Sequence, residues 1–399
     1  MTDAILVLNP GSSSLKFAVF EGVEDSAVAV LRGKIAGIGT KPVFSAKDGV
    51  GLVLPQGSFS PMDAAIGLDD LIPTLLHWLK DHRSGVTIKG VGRRVVHGGL
   101  HHVGPARVTD ALMADLNTLV PLAPMHQPHN LAAIRHVAAS YPDLPQVACF
   151  DTSFHRTQDR LAQLFALPRQ LTDDGIIRYG FHGFSYEYIA ITLPRHLGPK
   201  ADVRVIVAHL GGGASMCALK KRRSVATSMG FTALDGLMMG RRCGALDPGV
   251  VLYLMQAKGL SSQKITEMLY EQSGLLGVSG ISNDMGTLQA SNAPEARQAI
   301  DLFCFRAARE LAALATTIGG LDAVIFTAGI GENSALVRKC ICNRLNWMGV
   351  ALDPAANDAN ATRITANGSN INVLGIAPDE EAVNACATHD MVLRTRRMT

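Results

Sequence analysis

No segment of this chain is apolar for long enough to cross a membrane. The longest apolar stretch, Leu311 to Ile330, is interrupted by Gly319-Gly320 and Asp322, so it reads as a helix end followed by a strand. No basic region leads into an apolar one near the first residue, and no secretion signal is expected. Cysteine is sparse and unpatterned. The count of 7 is odd, which argues against a closed disulfide framework, and Cys340-Ile341-Cys342 lacks the second pair or nearby histidines of a zinc site. Reduced thiols in a cytoplasm are the expectation. Net charge is small too, +3 over 399 residues, and makes no case for nucleic acid or a membrane surface as partner. Nor does a low-complexity linker divide the chain. What remains is 47% hydrophobic and 18% charged, the composition of a well-buried globular protein. The length exceeds one comfortable core, so two domains are expected.

Against these absences stand two similar hairpins. The first, Ile5 to Phe20 (ILVLNPGSSSLKFAVF), runs from an apolar strand through Asn9-Pro10-Gly11-Ser12-Ser13-Ser14 into a strand alternating around Lys16. Gly11 lets the backbone curl, and three hydroxyls with their amides face a phosphate at no charge cost. Lys16 offers a cation and Asn9 a neutral oxygen for a hydrated Mg²⁺. Alone, such a turn is an ordinary serine-rich hairpin. The second, Val203 to Lys220 (VRVIVAHLGGGASMCALK), repeats the plan with a β-branched strand, Gly211-Gly212-Gly213 and a strand returning through Ala214 to Leu219. This recurrence predicts a duplicated α/β architecture, two similar domains facing each other with both turns converging on one polyphosphate.

The rest of the chain supplies the layers around those hairpins. A strand is predicted over Ala27 to Ala36, a turn-rich stretch over Gly37 to Pro61, a helix over Ala64 to Lys80 and a strand over Ile88 to Val96. Asp110 is expected to cap a helix through Leu119, Pro121 to Pro128 to form a rigid loop, and His129 to Ala139 a helix. The strand Gln146 to Phe150 ends at Asp151, and α/β sheets bind ligands just past the carboxyl ends of their strands. Tyr179-Gly180-Phe181-His182-Gly183 precedes a helix over Ser185 to His196, and Gly230 to Pro248 surrounds Arg241-Arg242. Helices are predicted over Val250 to Ala257 and Ser262 to Gln272, with a strand or loop over Val278 to Asp284. Ile300, Phe303, Ala307, Leu311, Leu314 and Ile318 make the longest amphipathic helix. Ala323 to Thr327 is a buried strand, turning through Ala328 to Asn333 into a helix over Ser334 to Asn346. A strand over Ile371 to Ile376 precedes Pro378-Asp379-Glu380-Glu381, which opens the last helix. The domains are placed at 1–151 with 379–399, and at 152–378.

The polar residues of these loops are Asn9, Lys16, Arg94, Asp151, His182, Arg242 and Glu380. Singly, Arg94 and Arg242 read as surface cations, His182 as a structural histidine and Glu380 as an acidic first turn. Jointly they suit phosphoryl transfer, which needs positioned phosphates, an oxygen-ligated Mg²⁺ and fixed cations over the moving group. The stretches LVLNPGSSSLK, RVVHGG, FDTSFH, YGFHG, AHLGGGAS, GLMMGRRCG, SGLLGVSGISND and TAGIGEN, in this order along nearly the whole chain, resemble those of the acetate kinase family. The resemblance implies the sugar-kinase, actin and heat-shock-chaperone superfold: a duplicated, actin-like (ribonuclease H-like) two-domain α/β fold with the active site in the interdomain cleft. It implies reversible phosphoryl transfer from ATP to acetate, giving acetyl phosphate and ADP, by a cytoplasmic homodimer.

The resemblance also implies roles for residues of this sequence. Asn9 and Glu380 match the Mg²⁺ site, with Mn²⁺ as the alternative ion. Lys16 and His209, Leu210, Gly211, Gly212 and Gly213 match the surroundings of the ATP phosphates. Asp284, Met285 and Gly286 with Gly329, Ile330, Gly331, Glu332 and Asn333 match the adenosine pocket. Arg94 matches the arginine that holds the substrate carboxylate, and Val96, Met125, Phe181 and Ala233 match the methyl pocket. His182 and Arg242 match the transition-state stabilisers, and Asp151 matches an aspartate usually written as a proton donor or acceptor. Elementary chemistry qualifies that last label. A carboxylate is already ionised at neutral pH, so the nucleophile needs no base, and Asp151 reads instead as an orienting group for Arg94 or a Mg²⁺-bound water.

Several positions depart from the family pattern. Gly212 stands where Asn is usual, Gly286 where an Arg commonly lies near the adenine, Arg241 where Thr is usual, Ala233 where Pro is usual and Arg222 at a turn position usually held by Gly. Two alternatives remain in view. One is propionate kinase, which the stiff Val96 disfavours and the small Ala233 mildly favours. The other is a non-catalytic ATP-binding switch, which would have no need of Arg94, Arg242 and His182.

Overall fold

The computed structural model of the protein describes residues 2–10, 14–22, 27–59, 68–82, 85–124 and 126–394. The chain divides into two compact units, Met1–Phe154 with Asp379–Thr399, and His155–Pro378.

The first unit is built on a seven-stranded sheet. Its strands are β1 (Thr2–Pro10), β2 (Ser14–Glu21), β3 (Val28–Ala36), β4 (Val43–Asp48), β5 (Val86–Val95), β6 (Ala106–Arg107) and β7 (Gln146–Phe150), in the order β4-β3-β2-β1-β5-β7-β6. β1 pairs antiparallel with β2 and parallel with β5, and β5 pairs parallel with β7. The unbroken apolar run of β1 follows from burial on both faces. Leu6 and Leu8 join Phe17, Val19, Trp78 and the helix Leu68–His82, while Ile5 and Val7 join Ala18, Phe20, Ala382 and Ala385. The latter two lie on the helix Glu380–His389, so one face of this sheet is closed by a segment from the far end of the chain.

The second unit carries five strands, β8 (Arg204–Leu210), β9 (Ala214–Lys220), β10 (Arg223–Thr227), β11 (Ala323–Thr327) and β12 (Asn372–Gly375), in the order β10-β9-β8-β11-β12. β8, β9 and β10 are antiparallel neighbours, and β8, β11 and β12 run parallel. Order and direction therefore repeat β3-β2-β1-β5-β7 of the first unit, the duplication that the two hairpins predict. A 24-residue helix, Pro294–Thr317, covers the sheet with Phe303, Ala307, Leu311 and Leu314 buried.

Local differences from the sequence reading have identifiable causes. The stretch expected to be turn-rich contains β4, whose alternating burial places Phe44 and Ala46 inside. The helix cap is Thr109 rather than Asp110: the threonine hydroxyl accepts the Leu112 amide at 3.2 Å, and Asp110 is the first helical residue. Of the stretch Val278 to Asp284, read as a strand or loop, the first two residues end a short helix, Gly274–Ser279, and the rest is loop. Residues Ala328–Asn333 form one and a half helical turns rather than a plain turn.

Candidate active site

In the first unit, parallel strands end together and deliver polar side chains to one edge. β1 ends at Asn9-Pro10, which faces Lys16 and Leu15 across the hairpin register. β5 delivers Arg94, and Asp151 follows β7 directly. Strand alternation separates the two neighbouring arginines. Arg94 turns to Asp151: its Nε donates to Oδ1 at 2.9 Å and to Oδ2 at 3.1 Å, and its Nη2 donates to Oδ2 at 2.5 Å. Arg93, 1% exposed, donates instead to Gln146 Oε1 and the Ala133 carbonyl, both at 3.0 Å. Burial without a carboxylate partner pushes its pKa down to about 9.

The Arg94–Asp151 pair sets the electrostatics of this edge. Burial opposes the Arg94 charge, but the charge and hydrogen bonds of Asp151, helped by Glu380, outweigh it and raise the guanidinium pKa. The Asp151 carboxyl pKa is raised: burial is the largest cause, Arg94 opposes it without cancelling it, and Glu380 (upward) and His126 (downward) act more weakly. In every contact with Arg94 the carboxyl group accepts, which holds it as a carboxylate. A cavity of about 220 Å³ is lined by Asn9, Lys16, Arg94, Val96, His126, His129 and Asn130 among others. Four residues singled out in the sequence thus meet in one cavity. His126, His129 and Asn130 were not foreseen. Asn130 ties the cavity together, its Oδ1 accepting the Val96 amide at 3.1 Å and its Nδ2 donating to the Pro10 carbonyl at 3.3 Å.

Glu380 opens its helix behind the cap Asp379, whose carboxylate accepts the Ala382 amide at 3.0 Å. Arg32 grips both flanking residues, donating to Asp379 at 2.5 Å and to Glu381. Among the described residues no group of three His, Cys, Asp or Glu is placed to hold a metal ion. Asn9 and Glu380 nevertheless suit Mg²⁺, a hard ion that keeps several waters and takes one or two protein oxygens besides substrate phosphates. Gly11, Ser12, Ser13 and Met125 lie outside the described residues.

The second unit assembles a different set. His182 sits at the start of the helix Gly183–Leu197 with φ 59°, a left-handed backbone that a non-glycine residue adopts at a cost. Phe181, 3% exposed, is fixed through its carbonyl, which accepts His155 Nε2 at 2.9 Å. The Gly211-Gly212-Gly213 turn is closed by the Gly211 amide donating to the Gly213 carbonyl at 3.0 Å. A methyl group placed on Gly213 would stand 2.7 Å from Arg242 Nη2 and 3.4 Å from His182 Nε2, so both side chains close on that backbone. Gly212 has open space where a side chain would be. Arg242 Nη1 donates to the Ala233 carbonyl at 2.6 Å, and burial lowers the guanidinium pKa. His209, at the end of β8, stacks on His182 with ring centres 4.2 Å apart.

Asp284 is the N-cap of the helix Met285–Ala290, accepting the Thr287 amide at 2.7 Å and its hydroxyl at 2.9 Å. These bonds lower its pKa. Met285 is buried at 3% exposure, so it lies beneath Asp284 and Gly286 as packing. The short helix with Gly329, Ile330, Gly331, Glu332 and Asn333 is held by a residue that sequence reasoning missed. Arg338, 1% exposed, donates from Nη1 to the Gly331 and Glu332 carbonyls at 2.9 and 2.7 Å. Its Nε reaches Asn357 Oδ1 at 2.7 Å. Its pattern in sequence is that of any helical arginine, and only the fold shows it inward.

The model of the acetokinase family matches residues 4–386. An acetate kinase of Rhodopseudomonas palustris is 49% identical over 395 residues, covering 96% of this chain and 97% of the relative. Among solved structures, a propionate kinase from Francisella tularensis superposes with a TM-score of 0.88 at 36% identity, covering 97% of this chain and 99% of the other. An acetate kinase from Porphyromonas gingivalis does so with 0.86 at 32% identity, covering 98% and 99%.

Proposed function

This chain belongs to the acetokinase family, and from that premise we propose that it is an acetate kinase, transferring a phosphoryl group reversibly between ATP and acetate. The observation that carries the choice of a carboxylate acceptor is the cavity where Arg94, fixed by Asp151, stands beside the apolar wall of Val96. A guanidinium and a small apolar wall suit a short carboxylic acid.

The acid arrives ionised, since its pKa of about 4–5 resembles that of any carboxyl group. One carboxylate oxygen attacks the γ-phosphorus, a new P–O bond forms, and the bond to the ADP oxygen breaks; no proton has to move. The barrier is repulsion between two anions. In this reading Arg94 neutralises the carboxylate, Arg242 and His182 face the charge on the transferring group, and Asp151 keeps Arg94 in place. Within the second unit, His209 to Gly213 offer backbone to the ATP phosphates, and Asp284, Gly286 and Gly329 to Asn333 offer polar groups to the adenosine; within the first, Lys16 offers a cation for phosphate. Asn9 and Glu380 would hold Mg²⁺, which supplies charge neutralisation between phosphates. Val96, which lines the cavity beside Arg94, is the wall for the methyl group.

A propionate kinase is the second reading, favoured by the solved relative of that name. Val96 is β-branched and stiff, and one methylene is worth about 1–3 kcal/mol in an apolar pocket. Acetate should therefore exceed propionate in kcat/KM by roughly 10-fold, and Val96→Ala should narrow the gap. Hydroxamate formation from each acid with ATP and hydroxylamine measures this, and better use of propionate by the wild type would move the assignment.

We also assign a homodimer. The helix Pro248–Gln256 (PGVVLYLMQ) buries none of its residues and exposes Leu252, Tyr253 and Met255 at 54%, 55% and 45%, an apolar face that suits a second copy of the chain. Leu252→Glu with Met255→Glu should give a monomer in sedimentation; a dimer unchanged refutes this face. A cytoplasmic location is consistent with seven free thiols and with no described helix long and apolar enough to cross a membrane.

A further inference from the structure

His182 is held from behind by two buried hydroxyls. Its Nδ1 lies 2.7 Å from Ser215 Oγ, and the Tyr186 hydroxyl is hydrogen-bonded to that same oxygen. Ser215 and Tyr186 are each 0% exposed. The three residues come from different places: the residue before a helix, the first turn of that helix, and β9. The opposite ring nitrogen, Nε2, is the one on the Gly213 side, where Arg242 also closes.

Ser215 has one proton to donate, so the direction of this chain and the tautomer of His182 are the same question. Three features place positive charge or a second imidazole beside His182. It stands at the N-terminus of a 15-residue helix, the positive end of the helix dipole. A second imidazole, His209, is stacked on it at 4.2 Å with 17° between the planes. Arg242 shares the Gly213 backbone with it. A neutral imidazole carries one N–H. If Nδ1 held that proton, it would donate to Ser215, which would donate to Tyr186, and a bare lone pair would face the glycine turn. If Tyr186, the more acidic hydroxyl, donates to Ser215, then Ser215 donates to Nδ1 and the proton sits on Nε2.

We infer that Tyr186 and Ser215 are positioning residues that hold His182 as the neutral tautomer protonated on Nε2. Resting on the kinase reading above, this makes His182 a hydrogen-bond donor to a phosphoryl oxygen without a proton taken from solution. It also accounts for a left-handed backbone at His182, since the two hydroxyls fix the ring from the side opposite the ligand.

The test uses the full chain labelled with ¹⁵N-histidine, in the wild type, Tyr186→Phe and Ser215→Ala, without substrates. Long-range ¹H–¹⁵N correlation reads the tautomer, and His182→Gln assigns the signal by its loss. The wild type should show Nε2 protonated and Nδ1 unprotonated, and both variants should show an averaged pattern. Turnover should fall about 10-fold in kcat, less than for loss of the donor itself, with KM for ATP and acetate within about twofold. Tyr186→Phe keeps the ring and its packing, so it carries the test if Ser215→Ala fails to fold. A wild-type proton on Nδ1, a pattern unmoved in the folded variants, or an unchanged kcat in them overturns the inference. Absence of acetate-dependent turnover in the wild type overturns the kinase reading instead, and leaves the tautomer to be decided by the spectrum.

Discussion

Asp151 accepts three hydrogen bonds from Arg94, and a carboxylate so engaged is a poor general base. Asp151→Asn keeps one acceptor and should retain measurable turnover with a raised KM for acetate. Arg94→Ala removes the cation itself and should lower kcat/KM for acetate by 100-fold or more, roughly 2.7 kcal/mol. Steady-state kinetics of both variants decides; Arg94→Ala within a few-fold of the wild type would falsify its role. Gly212 is the opposite case, a position with room to spare. Gly212→Asn should leave the free energy of unfolding in urea within about 0.5 kcal/mol of the wild type while lowering KM for ATP, because an amide donor is added beside the glycine turn. An unchanged KM would remove Gly212 from the phosphate surroundings. At this scale the sequence had definite limits. Nothing in the order Arg93-Arg94 tells which residue points to Asp151 and which is buried among backbone carbonyls; the resemblance to a family singled out Arg94. Asn130, Ser215 and Arg338 left no local signal because their partners are fixed by the fold.

Elements were more legible where burial left a continuous trace. β7 and β11, five residues buried throughout, coincide with the predicted strands because unbroken apolar runs between polar residues have one reading. β4 was missed because only alternate residues are buried and turn-forming residues surround it. β10 was missed because its hairpin lacks the usual sign. The turn is Lys221-Arg222, both with positive φ (52° and 60°), where Asn-Gly is the ordinary choice. Replacing the pair by Asn-Gly should stabilise the second unit by about 1 kcal/mol, since the Arg222–Asp202 pair it removes is exposed and contributes little. Chemical denaturation measures it, and a loss of stability would show that the exposed pair matters more. His155 gives this unit a pH dependence. Burial pushes its pKa down to about 4, against about 6.5 in an unfolded chain. Between those values the unfolded chain binds a proton that the folded one does not. The contribution is therefore complete above about pH 6.5 and is lost as the pH falls to about 4, roughly 3 kcal/mol in all. Denaturation midpoints from pH 7 to 4.5 should fall less steeply in His155→Gln than in the wild type. Equal slopes would assign the acid sensitivity to other groups.

At the scale of the whole molecule, the helix Glu380–His389 seats closely on β5. A methyl group on Gly92 would lie 2.3 Å from Asn384 Oδ1 and 2.5 Å from Thr388 Oγ1, both residues buried. Gly92→Ala should thus cost about 1–3 kcal/mol by overpacking and depress turnover more than stability, because Glu380 moves with the helix. Calorimetry and kinetics on one sample check this; full activity in a destabilised protein would detach Glu380 from the reaction. The same helix gives the protein an order of assembly. A ribosome delivers Ile5, Val7, Ala18 and Phe20 more than 350 residues before it delivers Ala382 and Ala385, which cover them. The second unit is contiguous and can close while the first still shows a bare apolar face, the reverse of the usual N-terminal-first sequence. The nascent chain therefore keeps that apolar face uncovered until its last helix is made, and it acquires Glu380 only with the segment that hides the face.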